Sequence, residues 1–243
     1  MSLAAIEQKK GLIEGRARIR EFVFGIQDGL ISTVGLLAGV QSATESNTVV
    51  IITGLTAMFS GAISMSAGSY LSSSAEKEIF DKELRKAEVI ADTEPYLVAE
   101  GLLKALSQEG LAREQSYSIV KILLRQEQVF LRTFQEKVFG LGSAEINRPV
   151  QAALVMATSF IIGALVPILP FLALSGFAAL ATSIALSATT LFAVGVLKGK
   201  LAAKSPWLSG LQFFAIALGA ASLGYAIGLV VQFFFPDITV PAG

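Results

Sequence analysis

Arg20-Glu21-Phe22-Val23-Phe24-Gly25-Ile26-Gln27-Asp28-Gly29-Leu30 opens an apolar run that continues to about Val40. The aspartate is the informative residue. Hydrocarbon cannot hydrate a carboxylate, so an acidic side chain inside a span faces protein or a watery path and marks a functional site by default. Taken as a helix, the face of Asp28 gathers Glu21, Gly25, Ser32, Gly35 and Gly39 at steps of three and four, while Phe22, Phe24, Ile26, Leu30 and Leu36 cover much of the rest. A second apolar run repeats the arrangement through Gly54, Met58, Gly61, Met65, Gly68 and Ser72. Small residues at that spacing let helix backbones approach closely.

The composition agrees with a membrane setting. Of 243 residues, 53% are hydrophobic and 16% charged, with a mean hydropathy of +0.65. Soluble domains sit nearer a quarter charged. The chain has no cysteine and no histidine, which excludes disulfides, thiolate or imidazole metal sites, Ser-His-Asp triads and cysteine nucleophiles. A metal site would use carboxylates, thioethers, hydroxyls, carbonyls and water. No nucleophile–base pair points to an enzyme, and no G-x-x-x-x-G-K-[ST] loop points to an ATP engine. The segment Met1–Arg20 lacks an apolar core followed by a cleavage site, so no signal peptide is expected.

Five runs are long enough to cross about 30 Å of hydrocarbon: Phe22–Val40, Val49–Ser72, Val150–Leu174, Gly176–Leu197 and Ser209–Phe235. The expected fold is all-α, a polytopic membrane protein of five transmembrane helices with a cytoplasmic three-helix insertion between the second and third. Residues 1–21 read as an amphipathic cytoplasmic helix, on the membrane surface or on the polar domain, or as a solvated tail. Residues 22–72 form helices one and two, 73–148 the helical insertion, 149–235 helices three to five, and 236–243 a tail on the opposite side. Within the insertion, helical patterns cover Glu76–Ala91, Tyr96–Gln108 and Arg113–Phe139, with Ile119, Leu123, Leu124 and Phe130 suggesting one packed face. Pro167 and Pro170 are expected to kink or end the third span.

Charge sets the orientation. Of 19 Lys and Arg, five precede the first span, eleven lie in Ser73–Arg148, and Lys198, Lys200 and Lys204 lie between spans four and five. The other connections and the tail contain none. The positive-inside rule then makes the amino terminus and the insertion cytoplasmic and the carboxyl terminus external, which needs an odd number of spans.

Two readings of Asp28 stand. In one, the glycines pack helices and the carboxylate pairs locally with Arg20 or Ser32. In the other, Glu21 lies at the cytoplasmic mouth of an ion path, Asp28 within it and Met65 opposite. A carboxylate with a thioether makes a borderline site suited to a transition-metal dication. A proton and a dication would compete for the one carboxylate, the simplest route to metal–proton exchange. Met58 and Met65 equally suit simple packing. The mixed charges of Glu76, Lys77, Glu78, Asp81, Lys82, Glu83, Arg85, Lys86 and Glu88 read as a solvated helix face, with a carboxylate metal site as the lesser alternative.

Arg20–Gly25 with Asp28-Gly29-Leu30 resembles the first-helix motif of the vacuolar iron transporter family, and Ser64-Met65-Ser66-Ala67-Gly68-Ser69-Tyr70-Leu71-Ser72 is similar to its second. Gly163–Pro170 resembles its third helix, and Ala220-Ala221 with Tyr225 and Gly228 its fifth. The resemblance implies a homodimer of five-helix subunits in a lipid bilayer, with a path at the dimer interface lined by helices one and two. It implies export of Fe²⁺ or Mn²⁺ from the cytoplasm in exchange for protons, across a vacuolar or plasma (inner) membrane. The metal enters as transported substrate; no resident cofactor and no nucleic acid partner are expected. Asp28 and Met65 match the family's intramembrane metal contacts, and Glu21 an acidic residue at the entrance. A changed substrate, or a non-transporting scaffold or sensor, are the alternatives.

The insertion departs from the family pattern of glutamate pairs that bind metal. Counted without gaps, those pairs fall at Ala87, Ile90, Val98 and Gly101, and near Gln135 and Val138. Glu88, Glu100 and Glu136 each stand one step away, about 100° round a helix. Either the register is displaced by one residue or the cluster has been lost; loss is the expectation.

Overall fold

The computed structural model describes residues 16–44, 46–138, 148–202 and 204–235. Among these residues there are eight helices and no strand: α1 Arg16–Ala43, α2 Asn47–Thr93, α3 Pro95–Gln108, α4 Arg113–Leu123, α5 Glu127–Val138, α6 Pro149–Ala173, α7 Gly176–Leu201 and α8 Pro206–Phe234. The amphipathic reading of 1–21 falls largely outside the described residues, and that of the tail 236–243 wholly so. The five helices α1, α2, α6, α7 and α8 are long and apolar enough to cross a membrane. Proline opens α3, α6 and α8, where its missing N–H would have had no helical partner.

Two compact units emerge, one built on Leu71–Arg148 and the other on Gly15–Tyr70 with Pro149–Gly243. In the second, contacts at glycine fix the helix directions. Gly25 stands against Ser159 and Gly29 against Phe160 and Ala164, so α1 and α6 run the same way. Gly35 meets Ala220 and Gly39 meets Gly224, so α8 runs with them. Gly54 meets Ile168 and Gly61 meets Phe160, while Gly195 meets Ser209 and Gly199 meets Pro206; α2 and α7 therefore run oppositely. The starts of α1, α6 and α8 share one end of the bundle with Tyr70 and Lys200.

The interior of this bundle joins Val34, Leu37, Ala38, Met58, Phe160 and Ile168 in one core, and Leu30, Leu191 and Phe213 in another. Ile52, Phe59, Ile63, Phe177, Trp207 and Phe233 are exposed on its outside, as helices bathed in hydrocarbon permit. The α6–α7 turn, Leu174-Ser175, is two residues long and leads into a left-handed backbone at the first residue of α7, Gly176, at φ +61°. Both prolines stand inside α6, which continues to Ala173. The third span is thus not ended by them.

The unit on Leu71–Arg148 differs from expectation in two places. The Glu76–Ala91 pattern is not a separate helix but the continuation of α2, a single helix of 47 residues. No proline or glycine falls between Ser72 and Glu76 to stop it. Conversely, Arg113–Phe139 is not one helix: a turn at Leu124–Gln126 separates α4 from α5, with Arg125 N–H bonded to Ile122 O and Gln126 N–H to Leu123 O. The turn lets Val120 and Phe130 enter one core with Ala87, Val98, Leu102, Leu106 and Phe134. The packed face accordingly uses Val120, Leu123 and Phe130, while Ile119 and Leu124 are exposed.

Candidate functional site

The glycines of α1 divide between two neighbours. A Cβ added at Gly25 would meet the Ser159 hydroxyl, and one at Gly29 the Phe160 carbonyl, so both are spent on contact with α6. Gly35 and Gly39 are spent on α8, with Ala220 O 3.1 Å and Gly224 O 2.9 Å from the positions of their missing Cβ atoms. For these four, the packing reading of the stripe holds. On α2, Gly54 and Gly61 are likewise filled by Leu37, Ile168 and Phe160, whereas nothing stands within 4 Å of Gly68.

Asp28 keeps a different relation to the bundle. It is half-buried, in the stretch of α1 between Gly25 and Gly29 that touches α6 and before the stretch that touches α8. The Ser32 hydroxyl donates to the Asp28 main-chain carbonyl at 2.6 Å, not to the carboxylate. Among the described residues no hydrogen bond or ion pair engages that carboxylate, and Arg20 is exposed without pairing to it. The local-pair reading of Asp28 therefore finds no support. Seven residues earlier, two helical turns and about 10 Å along the axis, Glu21 lies on the same face. It is buried, at 8% exposure.

Met65 sits one turn beyond Gly61, half-buried against the core that contains Phe160. Phe160 thus links the two motif helices: its backbone takes Gly29, next to Asp28, and its ring takes Gly61. The sulfur-bearing and carboxylate-bearing helices are brought to one level of α6. Met58 is fully packed at 3% exposure and belongs to the core. Beyond Asp28, a cavity of about 510 Å³ opens between α1 and α8, reaching from Ser32 past Gly35 and Gly39 to Ala43. Ser32 contributes its one side-chain hydroxyl; the remaining lining side chains are apolar or absent. Such walls cannot replace a cation's hydration shell, so this cavity offers no continuation for an ion.

The sequence model of the VIT family matches residues 19–229. The chain belongs to that family. It is 32% identical over 219 residues to vacuolar iron transporter 1 of Oryza sativa subsp. japonica, covering 88% of this chain and 85% of the relative. Identity to vacuolar iron transporter 1 of Arabidopsis thaliana is 26% over 215 residues, covering 88% and 86%. To the vacuolar iron transporter of Toxoplasma gondii it is 28% over 225 residues, covering 88% and 74%. These relatives are named as transporters, not enzymes, which agrees with the lack of a nucleophile–base pair. The family match begins at Ile19 and so takes in Glu21, Asp28 and Met65 together.

Neither the buried state of Glu21 nor the role of Phe160 is legible in the sequence. The first depends on helix contacts that a linear pattern does not contain. The second had a faint signal, since Phe160 lies one helical turn before Ala164 in the third-helix motif, but aromatic residues in apolar spans are too common to single one out.

Proposed function

We propose that this chain exports a divalent transition metal, Fe²⁺ or Mn²⁺, from the cytoplasm in exchange for protons, with Asp28 as the carboxylate that holds either cargo. The observation that carries this reading is the unpartnered, half-buried carboxylate of Asp28 in a span, on one face of α1 with Glu21. A buried acid that no protein group neutralises favours a mobile cation or a proton as its partner. Met65 supplies a softer ligand from α2, and Glu21 a second acidic group towards the end of the bundle where α1 begins. The printed names of the relatives supply iron as the first metal to test.

The α1–α8 cavity is apolar, so a cation leaving Asp28 needs polar surface from elsewhere. A second copy of the chain, placing its own α1 and α2 against these, answers that need and makes the functional unit a homodimer. The distribution of Lys and Arg supports a cytoplasmic amino terminus, with a vacuole or the cell exterior as the compartment opposite.

The test is transport in liposomes. Purified chain should move Fe²⁺ or Mn²⁺ under a pH gradient with counterflow of protons, and Asp28→Asn should lower the initial rate by about tenfold or more, the order expected when a charged partner of the ion is lost. Wild-type transport by Asp28→Asn would remove Asp28 from the mechanism. Absence of both metal fluxes, with flux of another cation in a panel, would instead show a changed substrate.

A further inference from the structure

The family resemblance calls for glutamate pairs in the helical insertion, at Ala87, Ile90, Val98 and Gly101 and near Gln135 and Val138. In the structure Ala87 and Val98 are fully buried, in one core with Leu102, Leu106, Val120, Phe130 and Phe134. A Cβ on Gly101 would lie 3.1 Å from Phe134 Cε2 and 3.9 Å from Val138 Cγ2. Three of the six positions, Ala87, Val98 and Gly101, therefore lie in or against the core that contains Phe134, while Ile90 and Val138 are exposed. The neighbours Glu88, Glu100 and Glu136 are all exposed. A register displaced by one residue would give the reverse, with those glutamates inside and Ala87 and Val98 outside. None of the six positions is acidic: five are Ala, Ile, Val, Gly and Val, and the sixth is Gln135.

We infer that the unit built on Leu71–Arg148 holds a dry apolar core where the family pattern holds metal, so that it folds without metal and does not bind the transported ion. A dication in that interior would meet alanine, valine and phenylalanine, none of which offers the oxygen ligands that replace water. Among the described residues no group of three or more acidic side chains gathers anywhere to form another centre. The ion pairs found there, Lys86–Glu83 at 2.7 Å and Lys137–Glu109 at 2.8 Å, are solvent-exposed. The first lies within α2, and the second joins α5 to the end of α3. The unit is a scaffold whose cohesion is hydrophobic.

Hydrogen exchange on the full chain in detergent tests this without reference to transport, and a chain that moved no metal would still give the expected result. Peptides across 84–104 and 127–138 should show the same protection in EDTA as with added Mn²⁺, Fe²⁺ or Zn²⁺. A metal-dependent rise in protection of about tenfold or more there would overturn the inference. Glu88→Gln/Glu100→Gln/Glu136→Gln should leave both protection and the stoichiometry of Mn²⁺ bound to the full chain unchanged. Loss of a bound metal equivalent in that variant would show that the outer glutamates form a site.

Discussion

At Gly29 the methyl group of an alanine would run into the Phe160 carbonyl and lie 3.0 Å from the Ala164 nitrogen, both backbone atoms that no rotamer change can move. Gly29→Ala must therefore push α1 away from α6, and is expected to destabilise the chain by about 1–3 kcal/mol, the usual range for overpacking. Gly68 has the same place in a small-residue stripe but nothing within 4 Å. Gly68→Ala should stabilise the helix by about 0.5–1 kcal/mol through backbone entropy alone. Thermal unfolding in detergent reads both changes, and shifts of the same sign would contradict the contacts described. In the sequence these two glycines look alike. Spacing shows that a stripe exists; only the neighbouring backbones show which members are spent on packing. Asp28 was legible for a different reason, because a carboxylate in hydrocarbon demands an explanation wherever its neighbours lie.

The same limit governs whole helices. Pro167 and Pro170 remove the N–H groups that would bond to the carbonyls of Gly163 and Val166, yet α6 carries on for another turn to Ala173 and is met from α7 by Ser183. That hydroxyl, fully buried, donates to the Pro167 carbonyl at 2.7 Å. Ser183→Ala is expected to lower stability by about 0.5–1.5 kcal/mol, the net worth of one such bond. Thr182→Ala, whose exposed hydroxyl bonds within its own turn to Ala178 O, should be near neutral. Equal unfolding temperatures for the two variants would mean that the α6–α7 hydrogen bond contributes nothing. Apolar length and proline placement made α6 visible in the sequence, but not its continuation past the two prolines or its hydrogen bond from α7. The break between α4 and α5 is unmarked in the sequence for a related reason. Leu124-Arg125-Gln126 contains no glycine or proline, and the turn is favoured by the core it lets Val120 and Phe130 share. The five apolar helices, by contrast, needed only local information.

Across the whole molecule, topology links charge to helix direction. In the bundle, α1, α6 and α8 run one way and α2 and α7 the other, as the close contacts at glycine require. The distribution of Lys and Arg along the chain calls for the same alternation. Arg20, Lys198, Lys200 and Lys204 all stand at the end of the bundle where α1 begins, while Thr44 and Ser175 stand in the turns at the other end. The chain contains no cysteine, so single cysteines can be introduced without first clearing a background. With cells or right-side-out vesicles, an impermeant thiol reagent should label Thr44→Cys and Ser175→Cys directly. It should reach Lys204→Cys only after permeabilisation, because positively charged connections are retained on the cytoplasmic side. Labelling of Lys204→Cys from outside, with Thr44→Cys protected, would invert the bundle. Glu21 would then face the outer compartment, and the proposed direction of metal movement would reverse with it.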